Sequence, residues 1–179
     1  MAEPVETAWP CQVSLGRIDR GGVSVRLSPD DKQRKTLARQ LGLVSIETLE
    51  AEVYLTPWLD GAEVSGLIRA RVVQTCSVTA DDLESTIDTR FKLHVISGDS
   101  DQAPQDDGGE LALDPEADDP PDILENDMVD VSGYVVEHLA LELDPFPRKP
   151  GAVFEPPQPT AEISPFSALK ALKVKGEED

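Results

Sequence analysis

Leu49, Ala51, Val53 and Leu55 alternate with Glu50, Glu52, Tyr54 and Thr56. A period of two describes a half-buried strand, because successive side chains of a strand point to opposite faces. Asp60-Gly61 follows, a two-residue hairpin signal. A turn there sets Leu59 opposite Ala62, Leu49 opposite Val72, Ala51 opposite Ala70 and Val53 opposite Ile68. The last three pairs put apolar residues on one face, and a one-residue slip would mix the faces. After a turn at Asp81-Asp82, Ile87, Phe91, Leu93 and Val95 share a face. Pairing Val78 with Ser85 places Phe91 opposite Val72 and Ile87 opposite Cys76. The expectation is a three-stranded antiparallel meander with one buried face.

The flanks extend this core. Residues 1–10 read as a polar lead-in. Val13 and Leu15, then Val23, Val25 and Leu27, alternate around Asp19-Arg20-Gly21-Gly22, which predicts an N-terminal hairpin. Ser28-Pro29-Asp30-Asp31 predicts a helix start, with Ser28 as cap and Pro29 in the first turn. Gly42 is its stop and Leu37 and Leu41 its buried stripe. Asp130 caps a second helix carrying Val131, Val135, Leu139 and Leu143, ended by Asp144-Pro145. Between these elements, from Gly98 to Pro121, many Asp and Glu occur with no Lys or Arg. Such a stretch buries too little apolar area to offset its ordering entropy, so disorder is expected. The predicted organisation is a single domain over residues 9–146, with 98–121 a disordered acidic insert. A Pro-rich tail over 147–179 ends in a short amphipathic helix at 164–173.

The net charge of -19 opposes loose, whole-surface binding to nucleic acid or anionic membrane and favours a basic partner. The two cysteines, Cys11 and Cys76, form no CxxC or Cys/His cluster, so neither a metal site nor a disulfide framework is suggested. No signal peptide or membrane span is recognised, and a cytoplasmic location is expected.

The catalytic inventory is thin. His94 falls on the outward face of the third strand, and His138 lies on or beside the apolar face of the second helix. No Ser/His/Asp or Cys/His spacing, phosphate loop or dinucleotide fingerprint is present. The carboxylates cluster where burial cannot tune them. The chain therefore reads as non-enzymatic and without cofactor. Cys76 reads as a small core hydrophobe, because no electropositive, accessible setting is evident around it.

The outward face of the meander carries Arg69, Arg71, Arg90, Lys92 and His94. The register above sets Arg71 opposite Lys92 and Arg69 opposite His94, an arrangement an RNA phosphate would relieve. It also sets Glu52 opposite Arg69 and Glu50 opposite Arg71, so a self-neutralised, solvated face is the stronger reading.

Three stretches in order resemble the YceD family, the large ribosomal RNA subunit accumulation proteins. They are Val72-Val73-Gln74-Thr75-Cys76-Ser77-Val78-Thr79; the run from Asp130 through Leu143 into Asp144-Pro145-Phe146-Pro147-Arg148-Lys149-Pro150-Gly151; and Ser164-Pro165-Phe166-Ser167-Ala168-Leu169-Lys170-Ala171-Leu172-Lys173. Cys76, Asp144, Pro145, Pro165 and Phe166 are the motif positions. Many members carry further cysteines where Val78 or Thr79 and Arg148-Lys149-Pro150 stand here. The chain thus resembles a single-cysteine branch, and no metal site is carried over. The resemblance implies a non-catalytic role in synthesis, processing or stability of large-subunit (23S) ribosomal RNA. The implied partner is that RNA or a pre-ribosomal particle, with Arg69, Arg71, Arg90, Lys92, Arg148 and Lys149 as candidate contacts.

The expected fold class is α+β: an antiparallel sheet of meander plus N-terminal hairpin, with two main helices. Whether the sheet curls into a barrel and whether the chain oligomerises are not legible in the sequence. Beside RNA binding stands a second function, an acidic escort for a basic ribosomal protein, the acidic stretch mimicking RNA.

Overall fold

The computed structural model describes residues 9–101 and 119–154. In chain order these form β1 (Gln12–Ser14), β2 (Val23–Leu27), α1 (Asp31–Gln40), β3 (Ser45–Trp58), β4 (Gly61–Thr75), β5 (Asp82–Ser97), β6 (Asp122–Leu124), β7 (Met128–Asp130) and α2 (Val131–Leu141). A five-stranded sheet runs β2-β3-β4-β5-β6, and β1 pairs with β7 in a separate ladder. The class is α+β, and the strand order of the described residues is open rather than a closed barrel.

The long meander β3-β4-β5 forms as the alternation requires, but its registers differ from expectation. Leu49 lies opposite Ala70, Ala51 opposite Ile68, Val53 opposite Gly66 and Ala62 opposite Pro57, a shift of two residues. The turn sits on Leu59-Asp60, with Leu59 in the left-handed region at φ 48°, and Trp58 pairs with Gly61. Gly61 serves a different need: a Cβ there would meet the Val95 carbonyl oxygen at 1.9 Å. β5 is displaced by six residues, so Phe91 faces Gly66 and Ile87 faces Ala70. A loop over residues 76–81 replaces the tight turn at Asp81-Asp82. It closes through Cys76 N–H to the Asp81 carbonyl, 2.8 Å, and Ala80 N–H to the Cys76 carbonyl, 2.9 Å. Both displacements are even, so the paired residues keep their predicted faces; Cys76, expected on the buried face of the strand opposite Ile87, instead lies in the loop after β4.

The N-terminal hairpin does not form. β2 pairs with β3, Val25 opposite Val53, while β1 pairs with β7, Val13 opposite Val129. Trp9, assigned to the polar lead-in, is 5% exposed and joins the core.

α1 starts two residues later than predicted. Asp30, not Ser28, is the cap: it accepts from Gln33 N–H at 2.8 Å, and Gln33 Oε1 accepts from Asp30 N–H at 2.7 Å. This reciprocal box satisfies two otherwise free donors. The stop at Gly42 is as expected, with φ 66° and Leu43 N–H returning to the Ala38 carbonyl at 2.8 Å. α2 is capped by Asp130, which accepts from Gly133 N–H at 2.9 Å.

One face of the sheet carries the core. Leu49, Val53, Leu55, Val64, Ile68, Val72 and Val95 pack with Leu37 and Ala38 of α1, Val131, Val135 and Leu139 of α2, and Val13 and Val129 of the small ladder. Burying such side chains contributes roughly 1.5–3 kcal/mol each against exposure. β6 runs parallel to the end of β5, Val95 opposite Asp122, and was not foreseen. Residues 98–101 and 119–121 of the acidic stretch are described, Gly98 bonding through its N–H to the Leu124 carbonyl; the rest of it, and the predicted helix at 164–173, lie outside the described residues.

Candidate functional site

The candidate basic cluster is dispersed by the true register. Arg69 faces Asp88, Arg71 faces Thr86, Arg90 faces Leu67 and Lys92 faces Ser65. Arg71 is not opposite Lys92, and Arg69 is not opposite His94. Glu50, not Glu52, lies opposite Arg69. Ion pairs form instead between Arg69 and Asp88 at 3.3 Å and between Lys92 and Glu63 at 2.7 Å. The Lys92 ammonium, with His94 beside it, holds the Glu63 carboxyl below its ordinary range. Arg26 pairs with Glu52 at 2.7 Å across β2 and β3. Much of the outward face is thus neutralised by itself, although such exposed pairs add little stability. Of the six candidate contacts, Arg71, Arg90 and Arg148 have no carboxylate partner among the described residues.

Both histidines line one cleft of about 620 Å³ between β5 and α2. Each is committed to packing. His94 stacks on Trp58 with centroids 4.2 Å apart and lies 3.4 Å from Glu63 Oε2. His138 stacks on Phe91 at 4.3 Å and donates from Nδ1 to the Tyr134 carbonyl at 2.9 Å. Burial, reinforced by the hydrogen bond to Asp122, raises the Tyr134 phenol.

A more organised constellation lies where β4 ends. Cys76 is 2% exposed, as a core residue, but its surroundings are polar. Its Sγ accepts the Lys149 N–H at 3.4 Å. The Thr79 side chain, then the backbone N–H groups of Lys149, Thr79 and Val78, lower the thiol to about 6. Sequence reasoning missed this, because the Thr79 side chain reaches the sulfur only through the fold of the 76–81 loop, and the backbone donors leave no signature in residue identity. The thiol is acidified yet sealed, which separates it from a reactive cysteine.

The same junction gathers the two motif stretches. Ser77 N–H donates to the Pro147 carbonyl at 2.8 Å. Gln74, 8% exposed, donates from Nε2 to the Asp144 carbonyl at 2.9 Å. Asp144 accepts from Phe146 N–H at 2.9 Å, turning the chain after α2. Lys149 Nζ pairs with Asp81 at 3.2 Å, and Thr79 together with Lys149 lowers the Asp81 carboxyl. Pro147 is buried in this seam, while Arg148 is exposed. Phe146 is 70% exposed and Phe154 67%. A groove of about 530 Å³, lined in part by Leu41, Gln74, Leu143 and Pro145, runs beside it to the end of α1. Among the described residues no group of three or more His, Cys, Asp and Glu converges as a metal set. No described helix is long and apolar enough to cross a membrane.

The YceD family, large ribosomal RNA subunit accumulation protein YceD, matches residues 64–173, more than half of the chain. The chain belongs to the YceD family. The match starts within β4, takes in the Cys76 junction and α2, and extends over the 164–173 segment. No curated protein and no solved structure matches the chain. Pro165 and Phe166 lie outside the described residues, so the three motif stretches are seen together only for the first two, and those two interlock.

Proposed function

We propose that this YceD-family chain supports accumulation of large-subunit (23S) ribosomal RNA by binding that RNA or a pre-ribosomal particle in the cytoplasm, not by catalysis. Family membership supports the RNA. The observation that carries the surface is the loop after α2. Cys76, Ser77 and Asp81 hold it in place, and it presents Phe146 and Arg148 outward. An exposed aromatic ring beside a guanidinium with no carboxylate partner among the described residues suits unstacked bases and phosphates. Arg71, near the same end of β4, adds a second such cation. Arg69, Lys92 and Lys149, already paired, contribute less, and Arg90 lies further along the face. A binding role accords with two histidines spent on ring stacking and a cysteine sealed from solvent.

RNA crosslinking in cells tests this. Phe146→Ala with Arg148→Glu and Arg71→Glu should remove most large-subunit RNA crosslinks while the protein stays folded. Unchanged crosslinking would refute the surface. The acidic stretch supports a second reading, an escort for a basic ribosomal protein. Its test is deletion of residues 102–118 and co-purification of such proteins, which should fall.

A further inference from the structure

α2 is apolar on more than the side it buries. Val131, Val135 and Leu139 face the core, whereas Val136 is only partly buried at its edge and Ala140 is exposed. With Leu124, Met128 and Tyr134 they line a groove of about 430 Å³ beside β7, rimmed by Asp130 and Glu137. A helix that is apolar all round is normally covered on every side. The described residues leave this side open.

We infer that the groove is the docking site of the chain's own 164–173 segment. That segment places Phe166, Leu169 and Leu172 at helical spacing, and Lys170 and Lys173 beside them. Three apolar side chains suit the floor of the groove, and the two ammonium groups suit its acidic rim. The reach suffices. The described residues end at Phe154, and residues 155–165 fully extended span roughly 35 Å. A domain of this size has a radius of gyration of about 14 Å. The family match also runs through Lys173, so the segment belongs to the shared pattern. An amphipathic helix laid into an apolar groove reads through i, i+3 anchors of this kind, and so short a helix forms best when docked.

The full chain has only two methionines, Met1 and Met128, so methyl-labelled methionine gives one reporter in the groove. Phe166→Asp with Leu169→Asp and Leu172→Asp, all beyond the described residues, should move the Met128 methyl signal by several linewidths. A photo-crosslinker at position 136 should capture residues 164–173 within the same chain, with a yield unchanged on dilution. An unmoved Met128 signal overturns the inference. So does a crosslink between two copies whose yield falls on dilution, which would make the occupant a second molecule.

Discussion

The N–H of Lys149 donates to the sulfur of Cys76 at 3.4 Å, fastening the loop after α2 to the end of β4. The Thr79 side chain foremost, then this N–H and those of Thr79 and Val78, lower the thiol to about 6 from an ordinary value of 9.0. A depressed folded-state pKa stabilises the fold fully above the unfolded value and loses that stabilisation as pH falls through the folded one. The native chain should therefore gain stability over Cys76→Ser as pH rises from about 6 to about 9. Urea midpoints of both proteins across that range measure it; a constant difference would rule out a titrating Cys76.

Gly66 lies against the ring it faces. A Cβ there would meet Phe91 Cε1 at 2.3 Å. Gly66→Ala should cost roughly 1–3 kcal/mol by displacing Phe91 from its packed position. Because Phe91 also stacks on His138, the His138 ring resonances should move with it. Combining Gly66→Ala with Phe91→Leu should recover part of the loss in thermal unfolding.

Leu139 is fully buried on the core side of α2. Leu139→Ala should lower stability by about 2–5 kcal/mol, as cavity-forming core substitutions do. Val136→Ala, on the open side of the same helix, should cost much less in the folded domain. Equal losses in urea unfolding would show that both sides are covered.

Asp130 joins β7 to α2. Its Oδ1 accepts from Gly133 N–H at 2.9 Å and from Ser132 Oγ at 2.7 Å, and Ser132 Oγ accepts from Cys11 N–H at 2.8 Å. Asp130→Ala should cost about 1–2 kcal/mol for the lost cap. Hydrogen exchange should also quicken at Cys11, whose N–H depends on the same hydroxyl. Unchanged exchange at Cys11 would show that the hydroxyl holds its place without Asp130.

The faces of the sheet were legible because alternation encodes them in residue identity. The partners were not, because register is set by turns. Leu59 adopts a left-handed φ that its residue type disfavours, and the 76–81 loop is held by backbone bonds. Each moved the register by an even number, so Phe91 stayed inward while losing Val72 for Gly66. The predicted basic cluster required the wrong partners; the actual ones, Asp88 and Glu63, neutralise Arg69 and Lys92 and leave Arg71 and Arg90 without a carboxylate among the described residues. β1 and β7 are too short for periodicity to show, so their long-range ladder was invisible. Asp130 and Gly42 were legible because caps act locally.

β5 and β6 run parallel, and the acidic stretch is the connection between them. Its ends are set by Gly98 N–H on the Leu124 carbonyl, 2.9 Å, and by Ser100 on Asp60, 2.8 Å. The entropic cost of joining two fixed strand ends grows by only about 0.6 kcal/mol for each doubling of the connection's length. Residues could therefore be added or removed there at little cost to the sheet. The number of carboxylates carried beside the domain becomes a quantity that evolution, or a designer, can set independently of the fold that bears it.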